Sequence, residues 1–505
     1  MEQYSLFELR FQGDAPSGSE VSVDLQATFT WCDESGNTVE KDVKGFYTGG
    51  GAYIVRFLPE TPGEYSWKVR GCIDAAGGAV CKAAEPGKHG VIRAVGTRFV
   101  HADGTAFLPV GTTIYALAHQ EQGLIDRTLE TLKNAPFNKV RLCVFPKHFY
   151  YNHNEPELFA FEMDTSGNWD ANRPCFAFWN HLESILFSLA DRGIQSDLIL
   201  FHPYDRWGFS SLTADQNRLY LDYLLRRLSA IPEIWWSMAN EFDAISGKSM
   251  NDWYEIETFI AGNDPFHHLL SNHNCFSFYD FTRPAITHCS VQTTQVESAA
   301  KWLRQYQKPL IYDECCYEGD LPMSWGNISA FEMVNRFWIA CVSGAYVTHG
   351  EVFLADDEIL WWSKGGDLKG DSPKRISFLK KILEAFPASL EPWEVNNFQD
   401  LDPEFVEMMT SFSTLASKMP ESQQESHLVK DTEFRGHCGE SVYIQYLARH
   451  CNSVLTWRLP EDKKYQIDLI DVWEMTRETV LRNVKGKIHI HLPGKEGIAV
   501  VATLE

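Results

Sequence analysis

The sequence predicts a (β/α)₈ barrel set between an N-terminal β-sandwich and a small C-terminal β-domain. Three observations carry that reading. The first 95 residues alternate apolar and polar side chains with period two. From about residue 96, apolar strand-like runs alternate with helical periods, giving eight strand candidates over about 290 residues, the size such a barrel takes. Beyond about 389 the period-two pattern returns.

The N-terminal strands are legible from alternation: Val21, Val23, Leu25, Ala27, Phe29 and Trp31, then Tyr53, Val55 and Phe57, then Tyr65, Trp67 and Val69. Turn-forming DAPSGS (14–19), ESGN (34–37), GGG (49–51) and TPGE (61–64) separate them, as in a β-sandwich. The expected boundaries are 1–95, 96–388 and 389–505.

Within the barrel region FLPVGTTIYA (107–116) is the first strand and NKVRLCVFP (138–146) the second. QSDLILF (195–201), EIWWSMANE (233–241), LLSNHN (269–274), THCSVQT (287–293), PLIYDE (309–314) and AYVTHGEVF (345–353) follow. Helices are expected around Ile125–Leu132, Leu182–Leu189, Tyr220–Leu228, 251–260, 296–306, Phe331–Cys341 and Ile376–Phe386. A doubly wound sheet would usually carry a Gly-rich phosphate loop after an early strand, and none is present. In the last part Val442, Ile444 and Tyr446, Ile467 and Leu469, and Ile488, Ile490 and Leu492 mark strands. Residues 411–440, rich in Ser, Glu and His, read as a loop or weak strands.

Composition narrows the function. Of 505 residues, 45 are basic and 68 acidic, a net charge of −23. That argues against nucleic acid or an anionic membrane as the main partner, since both require a basic footprint. No run of about 18 apolar residues is present, so no membrane span is expected. The N-terminus lacks the pattern of a secretory signal. The 12 cysteines are scattered without a C-x-x-C pair and read as reduced thiols, which points to the cytoplasm. Homo-oligomerisation stays open.

The chemistry of a (β/α)₈ barrel sits at the C-terminal ends of its strands. Those ends give Arg141 on the second strand, His202 and Asp205 after the third, and Asn240 and Glu241 after the fourth. They continue with His273 and Asn274 after the fifth, Gln292 at the sixth, Asp313 and Glu314 at the seventh, and His349 and Glu351 at the eighth. Glu241 and Glu314 each close a hydrophobic strand and open a polar loop, on strands facing each other across the barrel mouth. Paired carboxylates about 5–5.5 Å apart are the equipment of retaining glycoside hydrolysis. A register slip of one residue would exchange Glu314 for Asp313. The rim loops also carry Trp207, Trp325, Trp361 and Trp362, of which Trp362 is the foremost candidate to stack on a sugar face.

Asn-Glu at the end of the fourth strand with a second Glu at the end of the seventh resembles the clan A glycoside hydrolases. GTTIYA (111–116), FNKVRLCVFPK (137–147), LFHPYD (200–205), YDECCYEG (312–319), THGEVF (348–353) and LWWSKGG (360–366) are similar to a bacterial glycosidase-like group with an N-terminal Ig-like domain, a clan A barrel and a C-terminal β-domain. The likeness spans the chain. It implies Glu241 as acid/base, Glu314 as nucleophile, Asn240 on the sugar 2-hydroxyl, and Arg141 beside Glu314, holding it ionised. The chain departs from the clan pattern twice. The sixth strand offers His288 and Gln292 where many members carry Tyr or His near the nucleophile. The eighth ends in His349 and Glu351 rather than Trp.

The expected activity is hydrolysis of a small oligosaccharide or glycoside by double displacement, without a cofactor or metal. Substrate contacts are expected from Arg141, His202, Asp205, Asn240, His273, Gln292, His349, Glu351 and Trp362. The long loops 147–177 and 354–372 would favour a pocket and exo action. Two rivals stand beside this reading: a non-catalytic carbohydrate-binding protein on the same scaffold, and a metal-dependent hydrolase using His202, His273 and His349.

Overall fold

A computed structural model describes residues 1–33, 35–393, 403–420 and 434–505. The chain forms two compact units. One comprises Met1–Thr294, Gln305–Met333 and Tyr346–Ser377; the other comprises Gln295–Arg304, Val334–Ala345 and Phe378–Glu505.

The first unit opens with two antiparallel sheets. One holds Thr38–Lys44, Leu25–Cys32, Gly63–Gly71 and Ala75–Cys81 in that spatial order; the other holds Phe7–Gln12, Ala52–Phe57 and Phe46–Tyr47. Their inward residues meet in one core, where Phe29 of one sheet stacks on Phe57 of the other at 4.0 Å between ring centroids. A short three-stranded sheet, Ile92–Val95, Arg98–His101 and Ala106–Phe107, follows. Its Phe99 and Phe107 pack on Trp235, Ile311 and Tyr346 at the start of the barrel strands and plug the barrel floor. Phe107, expected in the first barrel strand, thus belongs to the plug, and that strand is shorter than its apolar run.

The barrel sheet has eight parallel strands: Val110–Thr113, Lys139–Cys143, Gln195–Phe201, Ile234–Ala239, Leu270–Ser271, Cys289–Gln292, Leu310–Glu314 and Tyr346–His349. They neighbour one another in the order 5-4-3-2-1-8-7-6. The third strand is buried at all seven positions, as a strand covered on both faces must be. The fifth and sixth strands are too short for a full ladder, and single bonds bridge their seam. Leu270 O accepts from Thr287 N at 2.9 Å, Ser271 Oγ donates to His288 O at 2.7 Å, and the Asn274 amide exchanges two bonds with the Gln292 backbone. Helices Gln122–Asn134, Phe176–Ala190, Ala214–Leu228, Met250–Asn263, Ala299–Tyr306, Ala330–Val342 and Ser372–Glu384 lie close to their expected places.

A buried ionic knot joins the N-terminal sheets to the barrel helices. Arg56 donates to Glu8 (2.9 Å), to both oxygens of Glu183 (2.5 and 3.1 Å) and to the Arg227 carbonyl (2.6 Å); Arg227 grips the same Glu183. Burial works to raise Glu183, but the two guanidinium groups prevail and hold it below the ordinary carboxylate range. Removing Arg56 leaves Glu183 on Arg227 and Glu8 on Arg10 but takes a charged donor from both carboxylates. Arg56→Ala is therefore expected to cost about 1.5–3 kcal/mol, the worth of hydrogen bonds to charged groups, measurable as a lowered midpoint in chemical denaturation.

The second unit contains a six-stranded sheet in the spatial order Glu391–Pro392, Phe434–Cys438, Val442–Tyr446, Ile498–Leu504, Tyr465–Asp471, Thr476–Val484, and a separate pair, Val454–Arg458 with Lys487–His491. Tyr465, Ile467, Ile488, Ile490 and Val500 share its core. Of the segment read as loop or weak strands, 411–416 ends a helix, Pro403–Ala416, and Phe434–Cys438 is a strand; 421–433 lies outside the described residues. Among the described residues no helix is long and apolar enough to cross a membrane.

Candidate active site

The floor of the barrel is ionic. Lys139 and Arg141 alternate with apolar residues along the second strand and point inward, where nothing is exposed. Lys139 Nζ donates to Asp197 (2.8 Å) and Asp313 (2.6 Å); Arg141 Nε lies 3.5 Å from Asp197 and 3.8 Å from Asp313. Asp313 also accepts from Ser290 Oγ (2.5 Å) and Thr348 Oγ1 (2.7 Å). Thr348 reaches it because Gly111, on the neighbouring strand, has no side chain; a Cβ there would sit 2.6 Å from Thr348 Oγ1. Burial favours neutral Asp313, yet Lys139 and Arg141 hold it well below the ordinary carboxylate range. The register question is thereby answered. Asp313 belongs to the floor and Glu314 to the mouth. The pairing of the sixth and seventh strands skips Asp313: Val291 faces Tyr312 and Gln292 faces Glu314.

Above that floor lies a cavity of about 300 Å³, walled by residues from six strand ends. Tyr115 comes from the first, Lys147 and Phe149 from the second, Tyr204 from the third, Asn240 and Glu241 from the fourth. Gln292 comes from the sixth, and Glu314 and Tyr317 from the seventh; Trp325 and Trp362 close the rim. Glu241 sits in the left-handed region at φ 54°, ψ 56°, immediately after the fourth strand. Non-glycine residues are uncommon there, and such positions cluster at functional sites.

Each carboxylate has a phenol against it. Tyr204 donates to Glu241 Oε2. The Tyr115 hydroxyl lies between Glu314 Oε1, to which it donates, and Asn240 Oδ1 at 2.9 Å. Arg141 Nη1 stands 3.8 Å from Glu314 Oε1. Burial and the facing Glu241 charge nevertheless push Glu314 up to about 7, against the pull of Arg141, Tyr115 and Lys147. The expectation that Arg141 holds Glu314 ionised is overturned: burial and the facing Glu241 outweigh the guanidinium.

Lys147 is buried among aromatic rings, its Nζ 3.6 Å from the Tyr115 ring centroid, 4.3 Å from Tyr204 and 4.7 Å from Trp362. Burial draws it down to about 8, and the two glutamates oppose that shift. A cation here moderates the repulsion between the carboxylates and offers a donor to a bound hydroxyl.

Of the residues expected from sequence, Glu241, Glu314, Asn240, Gln292 and Trp362 line the cavity, and six do not. Arg141 lies beneath it. His202 turns away, its Nε2 3.1 Å from the Phe145 carbonyl, and burial draws it down to about 4. Asp205 binds the backbone amides of Trp207, Gly208 and Ser210, shaping its loop. His273 is fully enclosed, and burial holds it well below its ordinary value. His349 stacks on Phe137 at 4.8 Å, and Glu351 accepts the backbone amides of Lys369 and Gly370. The other sixth-strand candidate, His288, packs edge-on to Phe99 and Trp235 toward the floor. Among the tryptophans, Trp361 donates to Thr112 Oγ1 within the core and Trp207 donates to Glu155.

Sequence reasoning missed Tyr115, Lys147, Tyr204 and Tyr317. Three of them lie in runs it did identify, GTTIYA, VFPK and HPYD, two to four residues past the strand end. The signal available was position: a tyrosine at a barrel strand end has a hydroxyl to satisfy and carboxylates to satisfy it.

Residues 94–389 match the family described as Apiosidase-like, catalytic domain. Residues 1–71 and 431–503 match two domains of unknown function, DUF5060 and DUF5605. A solved protein of Bacteroides vulgatus, designated a candidate glycoside hydrolase, is 31% identical with a TM-score of 0.86, over 100% of this chain and 99% of that one. A family 5 glycoside hydrolase of the same organism shares the fold at 15% identity and a TM-score of 0.61, over 83% of this chain and 94% of that one. No curated protein matches. The family match spans the whole barrel and more than half of the sequence, around a mouth built from paired glutamates, and the chain belongs to the apiosidase-like family of glycoside hydrolase relatives.

Proposed function

We propose that this protein is a retaining glycoside hydrolase acting on a small oligosaccharide or glycoside, with Glu314 as nucleophile and Glu241 as acid/base. One observation carries the reading: Glu241 and Glu314 line the same cavity, each held by a tyrosine, and the buried guanidinium stands behind Glu314. In the first step Glu241 protonates the leaving oxygen while a Glu314 oxygen attacks the anomeric carbon. In the second, Glu241 takes a proton from water, whose oxygen displaces Glu314 and frees the sugar. Asn240 lies 2.9 Å from the Tyr115 hydroxyl in the cavity wall, where its amide can meet the substrate 2-hydroxyl. Trp325 and Trp362, with ring centroids 5.4 Å apart, supply flat apolar walls for C–H faces.

The cavity volume lies at the lower end of small-molecule sites, about 300–1,000 Å³, which supports a short substrate and exo action. Gln292, at the end of the sixth strand, is a candidate substrate contact. The rival metal reading loses support from geometry, because neither His202, His273 nor His349 lines the cavity.

The test is the anomer first released from an aryl glycoside turned over by the enzyme, followed by NMR before mutarotation. Retention is expected; inversion would remove the nucleophile role. Screening a glycoside panel for phenol release separates an enzyme from a binder, since a binder releases none. The pH profile follows from the same shift. Burial and the facing Glu241 lift Glu314 to about 7, so below that value its carboxyl is protonated and cannot attack. As pH rises through about 7, Glu314 ionises and becomes the nucleophile. A kcat/KM profile whose rising limb runs through about 7 is expected.

A further inference from the structure

Outside the cavity, three more ionisable side chains converge in the wall between the seventh and eighth strands. The strand extensions Glu318–Gly319 and Glu351–Val352 pair in parallel and set Glu318 directly beside Glu351. Both carboxylates are buried, at 3% and 1% exposure, and His349, at 0%, joins them from the end of the eighth strand. One ligand-type atom from each of the three lies within 4.8 Å of the others.

Backbone amides donate to both oxygens of each carboxylate, each oxygen keeping a second lone pair. Glu351 accepts from Lys369 N (2.5 Å) and Gly370 N (2.9 Å), and Glu318 from Asp371 N (2.8 Å) and Ser372 N (3.2 Å). Gly370 is pressed so close that a Cβ there would stand 2.5 Å from Glu318 Oε2 and 2.6 Å from Glu351 Oε2. Among the described residues neither carboxylate has a Lys or Arg in ion-pair contact. Two buried negative charges side by side are costly without a cation.

The histidine supplies the second observation. Thr112 Oγ1 lies 3.3 Å from Nδ1 and Phe137 stacks on the ring, fixing its orientation. Nε2 is then aimed at Glu351 Oε2, 4.0 Å away, and has no hydrogen-bond partner although completely buried. An imidazole held at one nitrogen by a hydroxyl, with the other facing carboxylates beyond hydrogen-bond reach, is arranged as metal-ligating histidines are.

We infer that Glu318, His349 and Glu351 form a buried site for one divalent transition-metal ion. The donor set, one imidazole and two carboxylates, suits zinc and its first-row neighbours better than the all-oxygen preference of calcium or magnesium. Its two negative charges neutralise the ion. Ligand atoms around a tetrahedral zinc stand about 3.3–3.6 Å apart given bonds of roughly 2.0–2.2 Å, so the observed spacing closes by about 1 Å on binding. The role is structural. The ion ties together the loops after the seventh and eighth strands, and Tyr317, which lines the cavity, immediately precedes Glu318.

The experiment uses the full chain equilibrated with Zn²⁺, and separately with Co²⁺, then dialysed free of excess ion. One equivalent of metal per chain by mass spectrometry is expected. Visible ligand-field absorption in the Co²⁺ form, and a melting temperature that falls with chelator and recovers with Zn²⁺ but not Mg²⁺, are expected with it. His349→Ala should weaken Zn²⁺ binding by more than the roughly 10–100-fold that loss of an outer hydrogen-bond partner costs. Glu351→Gln should weaken it as well. A wild-type chain that retains neither ion and melts identically with and without chelator would overturn the site. So would His349→Ala and Glu351→Gln variants that fold and bind Zn²⁺ as the wild type does. None of these readouts depends on glycosidase activity.

Discussion

Glu314→Gln is expected to reduce kcat/KM on every glycoside substrate by about 10⁴-fold or more, while leaving the melting temperature near that of the wild type. Glutamine keeps the size of the side chain and can still accept from Tyr115, so the cavity survives. It cannot form the ester to the anomeric carbon, and loss of a covalent nucleophile costs orders of magnitude that binding does not restore. The substitution also removes one of two facing charges. Ligand affinity measured calorimetrically on the inert variant should be preserved. A variant retaining more than a hundredth of wild-type turnover would move the nucleophile role elsewhere, with Glu318 and Glu351 excluded by their engagement with the 369–372 backbone.

Glu241→Ala is expected to separate substrates by leaving group. Glycosides of poorly acidic alcohols need the proton and should lose about 10²–10⁴-fold, the range general acid catalysis supplies. Activated aryl glycosides expel their phenolate unaided, so their first step should hardly change. The second step still lacks a base, and the glycosyl-enzyme should accumulate as a burst followed by slow release. Added azide should take the place of the base-activated water and restore release from the activated substrate. Equal losses across leaving groups, with no rescue, would refute the acid/base role.

The sequence disclosed the barrel because its strands are buried on both faces and its helices carry one apolar stripe, patterns that solvent alone imposes. Gln195–Phe201 is found where its run of apolar residues placed it. The carboxylate positions were legible because the fold puts strand ends at a common mouth. What was illegible turns on side-chain direction. Histidines 202, 273 and 349 and Asp205 occupy rim positions in the chain but point into walls or cap loops, and only the three-dimensional course of each loop decides that. Arg141 was read as a substrate contact from its place on the second strand; it lies two residues before that strand's end, beside Asp197 and Asp313, and so beneath the mouth. The tyrosines that hold the catalytic candidates escaped for the opposite reason, since an aromatic residue at a strand end looks like core until its hydroxyl has a partner. The helix at Pro403–Ala416 was missed although Met408, Phe412 and Leu415 recur at helical spacing, because its last turns were read together with the polar segment that follows them.

The backbone at position 241 sets evolutionary pressure against its own occupant. A left-handed conformation suits glycine, and asparagine next, whereas glutamate gives up roughly 1 kcal/mol or more there. Drift under selection for folding alone would empty the position of glutamate within this lineage. Homologous chains that have lost the chemistry should betray it first by a glycine or asparagine at that point, well before the rest of the mouth erodes.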